Sequence, residues 1–307
     1  MGAAASVLLV ACSQEQKENT SIEVVDTAGM PSAFLQYGVD RGHFDDVGAE
    51  VSVEPSSSGA AAIPVLISGD VQFAGSDAVS GLVAADRGLP VLIAAGGTRT
   101  SDEAEEDFAR VFVRAGNDEF HSIEDLGGAT FAVNSLENVN DFALMTVLEK
   151  HGVDTSALKF IELGFPEMAP ALEAGDVDAA LMIEPFVTMA LEQGFDPVLS
   201  PYVESRPELM IGLYLTSEEF AEEHPDIVEA FRDGVAATAA DIAEDPDAFR
   251  EALPGLSEIE SGLAQQVRLP QWSGEADRES LAFTSDQMLR FGMLDEPSEL
   301  DHLLILD

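Results

Sequence analysis

A motif that occurs twice constrains this chain more than any other feature. Pro64-x-Leu66-x-x-Gly69-Asp70-Val71-Gln72 returns further along as Pro170-x-Leu172-x-x-Gly175-Asp176-Val177-Asp178. Each copy reads as the end of a helix, a Gly-Asp turn and a buried strand. Each then runs through an apolar helix, to Pro90-Val91-Leu92 in the first copy and Pro197-Val198-Leu199 in the second. Two related units of this kind predict an α/β chain in two lobes with a cleft between them, which is an architecture for binding.

The segments around the repeat fit that plan. Ile22 to Asp26, Val51 to Glu54, Val71 to Ala74 and Leu89 to Ala95 read as strands. Ser32 is placed to cap a helix through Val39, and Asp77 to cap one from Ala78 to Arg87. The helix after Ser56-Ser57-Ser58-Gly59 is expected to open near Ala61 or Ala62, because Pro64 follows so closely. Ser101 to Asp107 is an acidic interruption, read as the crossing into a second lobe. Strands then recur at Val111 to Arg114, Thr130 to Val133 and Leu158 to Leu163, with a helix from Val139 to His151. Pro207 to Thr216 reads as the return crossing. Beyond Thr216 the pattern is helical, with Ile227, Val228, Phe231 and Val235 on one stripe, and strand-like alternation is expected again only at Leu303 to Ile305. The predicted organisation is therefore a terminal segment over 1–20, the first part of lobe 1 over 21–100, lobe 2 over 101–210, and over 211–307 a return to lobe 1 with helices packed on it.

Charge limits the partners. The 307 residues include 58 acidic and 14 basic side chains, a formal net charge of −44. Such a surface repels nucleic acid and anionic bilayers. It also repels itself, so stability is expected to rise with salt as the Debye length shrinks to about 3 Å at 1 M. The one cysteine, Cys12, follows a short apolar run ending Leu9-Val10-Ala11. That run is too short to span a bilayer, which takes about 20 residues, and reads as a secretory signal. Leu-Val-Ala-Cys resembles a bacterial lipobox, which implies lipidation at Cys12 and a polar tether to Thr20. No zinc-type pair of histidines, thiolate cluster, phosphate-binding loop or Gly-x-Ser-x-Gly elbow is present in the sequence. A binding protein without cofactor or metal is therefore expected rather than an enzyme.

Several stretches carry a family resemblance in order: Gly42-His43-Phe44, Ser57-Ser58-Gly59, Leu66-x-x-Gly69-Asp70-Val71-Gln72-Phe73, Ile123-x-Asp125-Leu126-Gly127-Gly128, Leu172-x-x-Gly175-Asp176-Val177-Asp178-Ala179 and Glu184-Pro185-Phe186. Over residues 22–245 the chain resembles the solute-binding proteins of bacterial ABC importers, in the group for sulfonates, taurine, nitrate and thiamine-pyrimidine precursors. The resemblance implies a two-lobed, type II periplasmic-binding-protein-like fold and a monomer. It also implies an extracytoplasmic, lipid-anchored location and delivery of a small ligand to ABC permease subunits. Pyrimidine-synthesising enzymes on the same fold use Cys- and His-rich segments that this sequence lacks.

The ligand-facing loops implied by the resemblance lie at strand ends, where open α/β sheets bind their ligands. They bring forward Met30, Ser56, Ser57, Ser58, Gly59, Asp77, Arg99, Asn134, Ser135, Asn138 and Glu184, with Tyr214 as a pocket wall. The Ser-Gly loop and Arg99 suit an anion such as a sulfonate or carboxylate. Asp77 and Glu184 suit a nitrogen-bearing ligand if they face the cleft, and serve as helix caps if they do not. Arg99 is equally suited to a surface pair with Asp102 or Glu103. A zwitterion such as taurine satisfies both sets, and an aminopyrimidine satisfies the second.

Overall fold

The computed structural model describes residues 21–305 apart from 118, 121 and 258. The expected lipidation site, Cys12, lies outside the described residues. In chain order the first elements are β1 (Ile22–Thr27), α1 (Met30–Asp40), β2 (Val51–Ser56), α2 (Gly59–Ile67), β3 (Phe73–Asp77), α3 (Ala78–Asp86), β4 (Val91–Gly96) and β5 (Thr98–Arg99). Next come β6 (Ala109–Val113), β7 (Thr130–Val133), α4 (Val139–Lys150), β8 (Lys159–Glu162), α5 (Phe165–Ala174), β9 (Ala179–Ile183), α6 (Phe186–Glu192), β10 (Asp196–Leu199) and α7 (Pro201–Ser205). The chain ends with β11 (Gly212–Ser217), α8 (Glu218–Glu223), α9 (Pro225–Glu244), α10 (Pro246–Leu256), α11 (Ser261–Ala264), β12 (Gln271–Trp272), α12 (Arg278–Phe291) and α13 (Leu300–Leu303).

One sheet has the order β2-β1-β3-β11-β4 and the other β8-β7-β9-β6-β10. In each, the strands in the first three places are parallel, and the fourth is antiparallel to both of its neighbours. The fourth strand is exchanged between the lobes: β6 follows the first crossing and β11 follows the second. This is the two-lobed α/β fold of the periplasmic binding proteins.

The repeated motif does the same work in both sheets. The Gln72 amide oxygen accepts the N–H of Glu23 at the start of β1, 2.8 Å away. The Asp178 carboxylate accepts the N–H of Thr130 at the start of β7, also at 2.8 Å. A polar acceptor at the last motif position thus holds the neighbouring strand in register. Gly69 and Gly175 close their turns with φ of 80° and 77°, a region that favours glycine.

Local differences from the sequence reading have physical causes. Helix α1 opens at Met30 behind Gly29, and Ser32 lies inside it with its hydroxyl turned back to the Gly29 carbonyl. Helix α2 opens at Gly59 rather than at Ala61 or Ala62. The Ser58 hydroxyl accepts the Ala61 N–H at 3.2 Å, and this cap fixes the start while Pro64 is tolerated within the helix. β12 was not foreseen; it is a two-residue strand held by pairing with β5. Leu304 forms an isolated parallel bridge to Ile93 at the edge of the first sheet.

The C-terminal helices pack mainly on lobe 1. Phe231 of α9 stacks on Phe73 at 3.8 Å, and Trp272 stacks on Phe34 at 5.1 Å. Helix α12 also reaches the second lobe: Phe283 meets Phe142 edge-on, and Arg290 pairs with Glu149 at 3.1 Å.

Candidate functional site

The carboxyl ends of β1, β3, β7 and β9 face one another across the cleft, and a cavity of about 60 Å³ lies between them. Lobe 1 supplies Asp26, Thr27, Gly59, Ser76, Asp77 and Tyr214, and lobe 2 supplies Asn134, Asn138, Asn140, Phe165, Ile183 and Tyr202. A wider hollow of about 450 Å³ shares Phe165 with this cavity and has apolar walls including Phe186, Pro166 and Pro185.

On the lobe 1 side the main feature is Asp26, 3% exposed. Its carboxylate accepts the N–H of Thr27 at 2.7 Å and the hydroxyl of Tyr214 at 3.2 Å. Burial pushes its pKa up to about 7, against the opposing pull of these hydrogen bonds. Gly75 makes room for it: a Cβ there would stand 1.9 Å from the Asp26 carboxylate oxygen. Gly59 allows a second close approach, since its Cβ would lie 2.6 Å from the Asp77 backbone nitrogen.

Asp77 is both a cap and a bridge. It accepts the backbone N–H of Ser80 at 2.9 Å and the Ser80 hydroxyl at 2.6 Å, closing the first turn of α3. It also accepts the N–H of Val139 at 3.1 Å, from the first turn of α4 in the other lobe. Burial raises its pKa despite these donors. A further link across the cleft runs from the Asn134 amide to the Ser57 carbonyl at 3.4 Å.

Lobe 2 presents a neutral network. The Asn134 carbonyl oxygen accepts from the amides of Asn138 at 3.0 Å and Asn140 at 2.6 Å. Asn138 caps α4 by accepting the Asn140 N–H at 2.9 Å. Asn140 in turn accepts the hydroxyl of Tyr202, whose pKa burial holds well above its ordinary value.

Of the residues singled out in the sequence, Gly59, Asp77, Asn134, Asn138 and Tyr214 meet at this cavity. Ser58 is buried behind it as the cap of α2, and Ser56 donates its hydroxyl to the Ser58 carbonyl. Ser57 is exposed at the neighbouring hollow. Met30 is fully buried in the core beneath α1, and Ser135 is buried outside the lining. Arg99 points away from the cavity because strand residues alternate. Thr98 takes the inward position, and Arg99 meets Glu208 at 3.5 Å and Asp277 at 3.9 Å rather than Asp102 or Glu103. Glu184 is fully buried, accepts from the Thr188 N–H and hydroxyl and from the Arg268 N–H, and lies 3.7 Å from the Arg268 guanidinium. Its neighbour Ile183 lines the cavity instead.

The sequence reading passed over Asp26, Asn140 and Tyr202. In the sequence Asp26 is read only as the last residue of an alternating first strand. Two signals pointed to it: the break in β-propensity at its position, and Gly75 two residues before the tip of β3.

Fold and cavity together define a protein that closes two lobes on a small solute. The chain belongs to the NMT1/THI5-like family, whose profile matches residues 30–249. It is 22% identical over 246 residues to the taurine-binding periplasmic protein of Escherichia coli K12, covering 80% of this chain and 73% of that one. The alkanesulfonate-binding protein SsuA of Xanthomonas axonopodis pv. citri, solved bound to MOPS, has the same fold, with a TM-score of 0.78 at 15% identity over 92% of this chain and 97% of that one. The aliphatic sulphonate-binding protein SsuA of Escherichia coli aligns with a TM-score of 0.74 at 14% identity, covering 93% of this chain and 92% of that one.

Proposed function

We propose that this protein is the extracytoplasmic solute-binding component of an ABC importer, capturing a small organic solute between its lobes and handing it to a permease. The observation that carries the reading is the cavity itself. It is walled by strand ends of both lobes and is spanned by hydrogen bonds that exist only when the lobes are together, Asp77 to Val139 and Asn134 to Ser57. A solute touching both walls favours the closed form, and a permease that recognises that form takes delivery only from loaded protein. The taurine- and sulfonate-binding relatives support the transport role. They also support binding without turnover.

The test is native mass spectrometry of the purified chain for a retained small molecule, followed by thermal shifts with alkanesulfonates, taurine, nitrate, aromatic carboxylates and pyrimidines. A true solute at 100 times its Kd adds about 2.7 kcal/mol and should reduce the radius of gyration in solution scattering. Conversion of a bound pyrimidine into product would replace this reading with an enzyme on the same fold. Anchoring through Cys12 is part of the same proposal. Metabolic labelling with palmitate should mark the protein and fail to mark the Cys12→Ser variant.

A further inference from the structure

We infer that the solute held between the lobes carries a protonated amine, whose nitrogen sits against the Asp26 carboxylate beside the Tyr214 hydroxyl. This rests on reading the cleft as a solute site and narrows the chemistry of what enters it.

The first argument is the charge of the lining. Asp26 and Asp77 are the charged side chains that line the cavity, and no Arg or Lys is among the lining residues. Arg99 is held by Glu208 and Asp277, and Arg268 by Glu184.

The second argument is that the anion-binding capacity at the starts of α3 and α4 is already used. Backbone N–H groups at the first turn of a helix attract anions. Here the N–H of Ala78 goes to the Ile211 carbonyl, those of Ser80 and Val139 go to Asp77, and that of Asn140 goes to Asn138. Between α3 and α4 the protein's own Asp77 carboxylate occupies the place an external anion would take.

The third argument is the remaining capacity of Asp26. An ionised carboxylate has about four acceptor sites, and two donors reach this one, the Thr27 N–H and the Tyr214 hydroxyl. A buried carboxylate is costly without a cationic partner. The groups facing it are Tyr214 from β11, Thr27 on its own strand and Gly75 on β3, none of them charged. An ammonium group would supply both the charge and the missing donors.

The test uses the full chain in calorimetric titrations with matched probes that differ in an amine: taurine against ethanesulfonate, β-alanine against propionate, and benzylamine against benzyl alcohol. Any solute retained through purification is identified alongside. The amine-bearing member of a pair should bind at least tenfold more tightly, or the retained solute should contain a basic nitrogen. Asp26→Asn should lower that binding at least tenfold. Tyr214→Phe, which removes only the hydroxyl, should lower it several-fold and guards against misfolding of the first variant. Amine affinity should also rise from pH 5.5 to 8, whereas an anion held by a protonated Asp26 would lose affinity over that range. Ethanesulfonate or propionate binding as tightly as its amine partner overturns the inference and leaves the solute-binding reading standing. So does a retained solute without basic nitrogen, or full amine binding by both variants. If no probe binds and no molecule is retained, the solute-binding reading falls, and the inference falls with it.

Discussion

Aligned through strand pairing, the two lobes place different chemistry at the same point. Val24 pairs with Phe73 and Val25 with Ala74 in the first sheet, as Phe131 pairs with Ala179 and Ala132 with Ala180 in the second. Counting on by one strand position, Asp26 corresponds to Val133 and Gly75 to Leu181. Lobe 1 thus buries a carboxylate in a space cleared by a glycine, where lobe 2 packs two apolar side chains. The carboxylates ahead of the next helices diverge less. Asp77 holds the Ser80 hydroxyl and Glu184 the Thr188 hydroxyl, and each carboxylate also accepts a backbone N–H from outside its own sheet unit, Val139 and Arg268 respectively. The common plan braces the lobes, and the difference at Asp26 gives one wall its charge.

The largest effect is expected where a brace is cut. Glu184→Ala should destabilise by about 1.5–3 kcal/mol, because it removes a buried carboxylate that accepts the Thr188 N–H and hydroxyl and the Arg268 N–H. Asp77→Ala should cost about 0.5–2 kcal/mol as a lost cap. Denaturant melts of the two variants measure the difference, and equal costs would mean that the braces are equivalent.

Gly75→Ala should cost about 1–3 kcal/mol by crowding Asp26. Adding Asp26→Val, the residue type that lobe 2 uses, should recover much of that loss, with a coupling of roughly 0.5–3 kcal/mol in a double-mutant cycle. Additive costs would show that the glycine is not there for the carboxylate.

Stability should depend on pH through buried carboxyls. Burial raises Asp26, Asp107 and Asp141 to about 7 in the folded chain. Between roughly pH 4 and 7 the native state therefore keeps protons that the unfolded chain has released, so stability falls as pH rises through that window. Tm should be several degrees higher at pH 5 than at pH 8. Asp26→Val should shrink that difference, and Val133→Ala, its counterpart in lobe 2, should not.

Two smaller effects follow. Tm should rise from low to molar NaCl as the net charge of −44 is screened. Arg99→Gln should cost under about 1 kcal/mol, as partly exposed ion pairs do, and leave solute affinity unchanged. A large loss of affinity would return Arg99 to the cleft wall.

Much of the fold was legible because its signals are local. The repeat, the alternating strands, the Asp77 cap and the Gly turns each follow from residues a few positions apart. The candidate site was only half legible. Asn134 and Asn138 could be placed at a helix start from their neighbours, but the network they share with Tyr202 joins residues 62 positions apart at its last link. Arg99 was misplaced because a two-residue strand sets its direction, and that strand exists only through its pairing with β12.

The sequence by itself therefore determined that there are two α/β units, where their strands end, and that polar residues gather at those ends, since such signals lie within one helix turn or one strand. Tertiary structure alone decided which polar groups face the cavity and which are consumed within the protein. The Asp26–Tyr214 contact spans 188 positions, and the bonds from Val139 to Asp77 and from Arg268 to Glu184 form only once the lobes have met. Whether a carboxylate is a cap, a brace or a free acceptor depends on which donors reach it, and those donors come from distant parts of the chain.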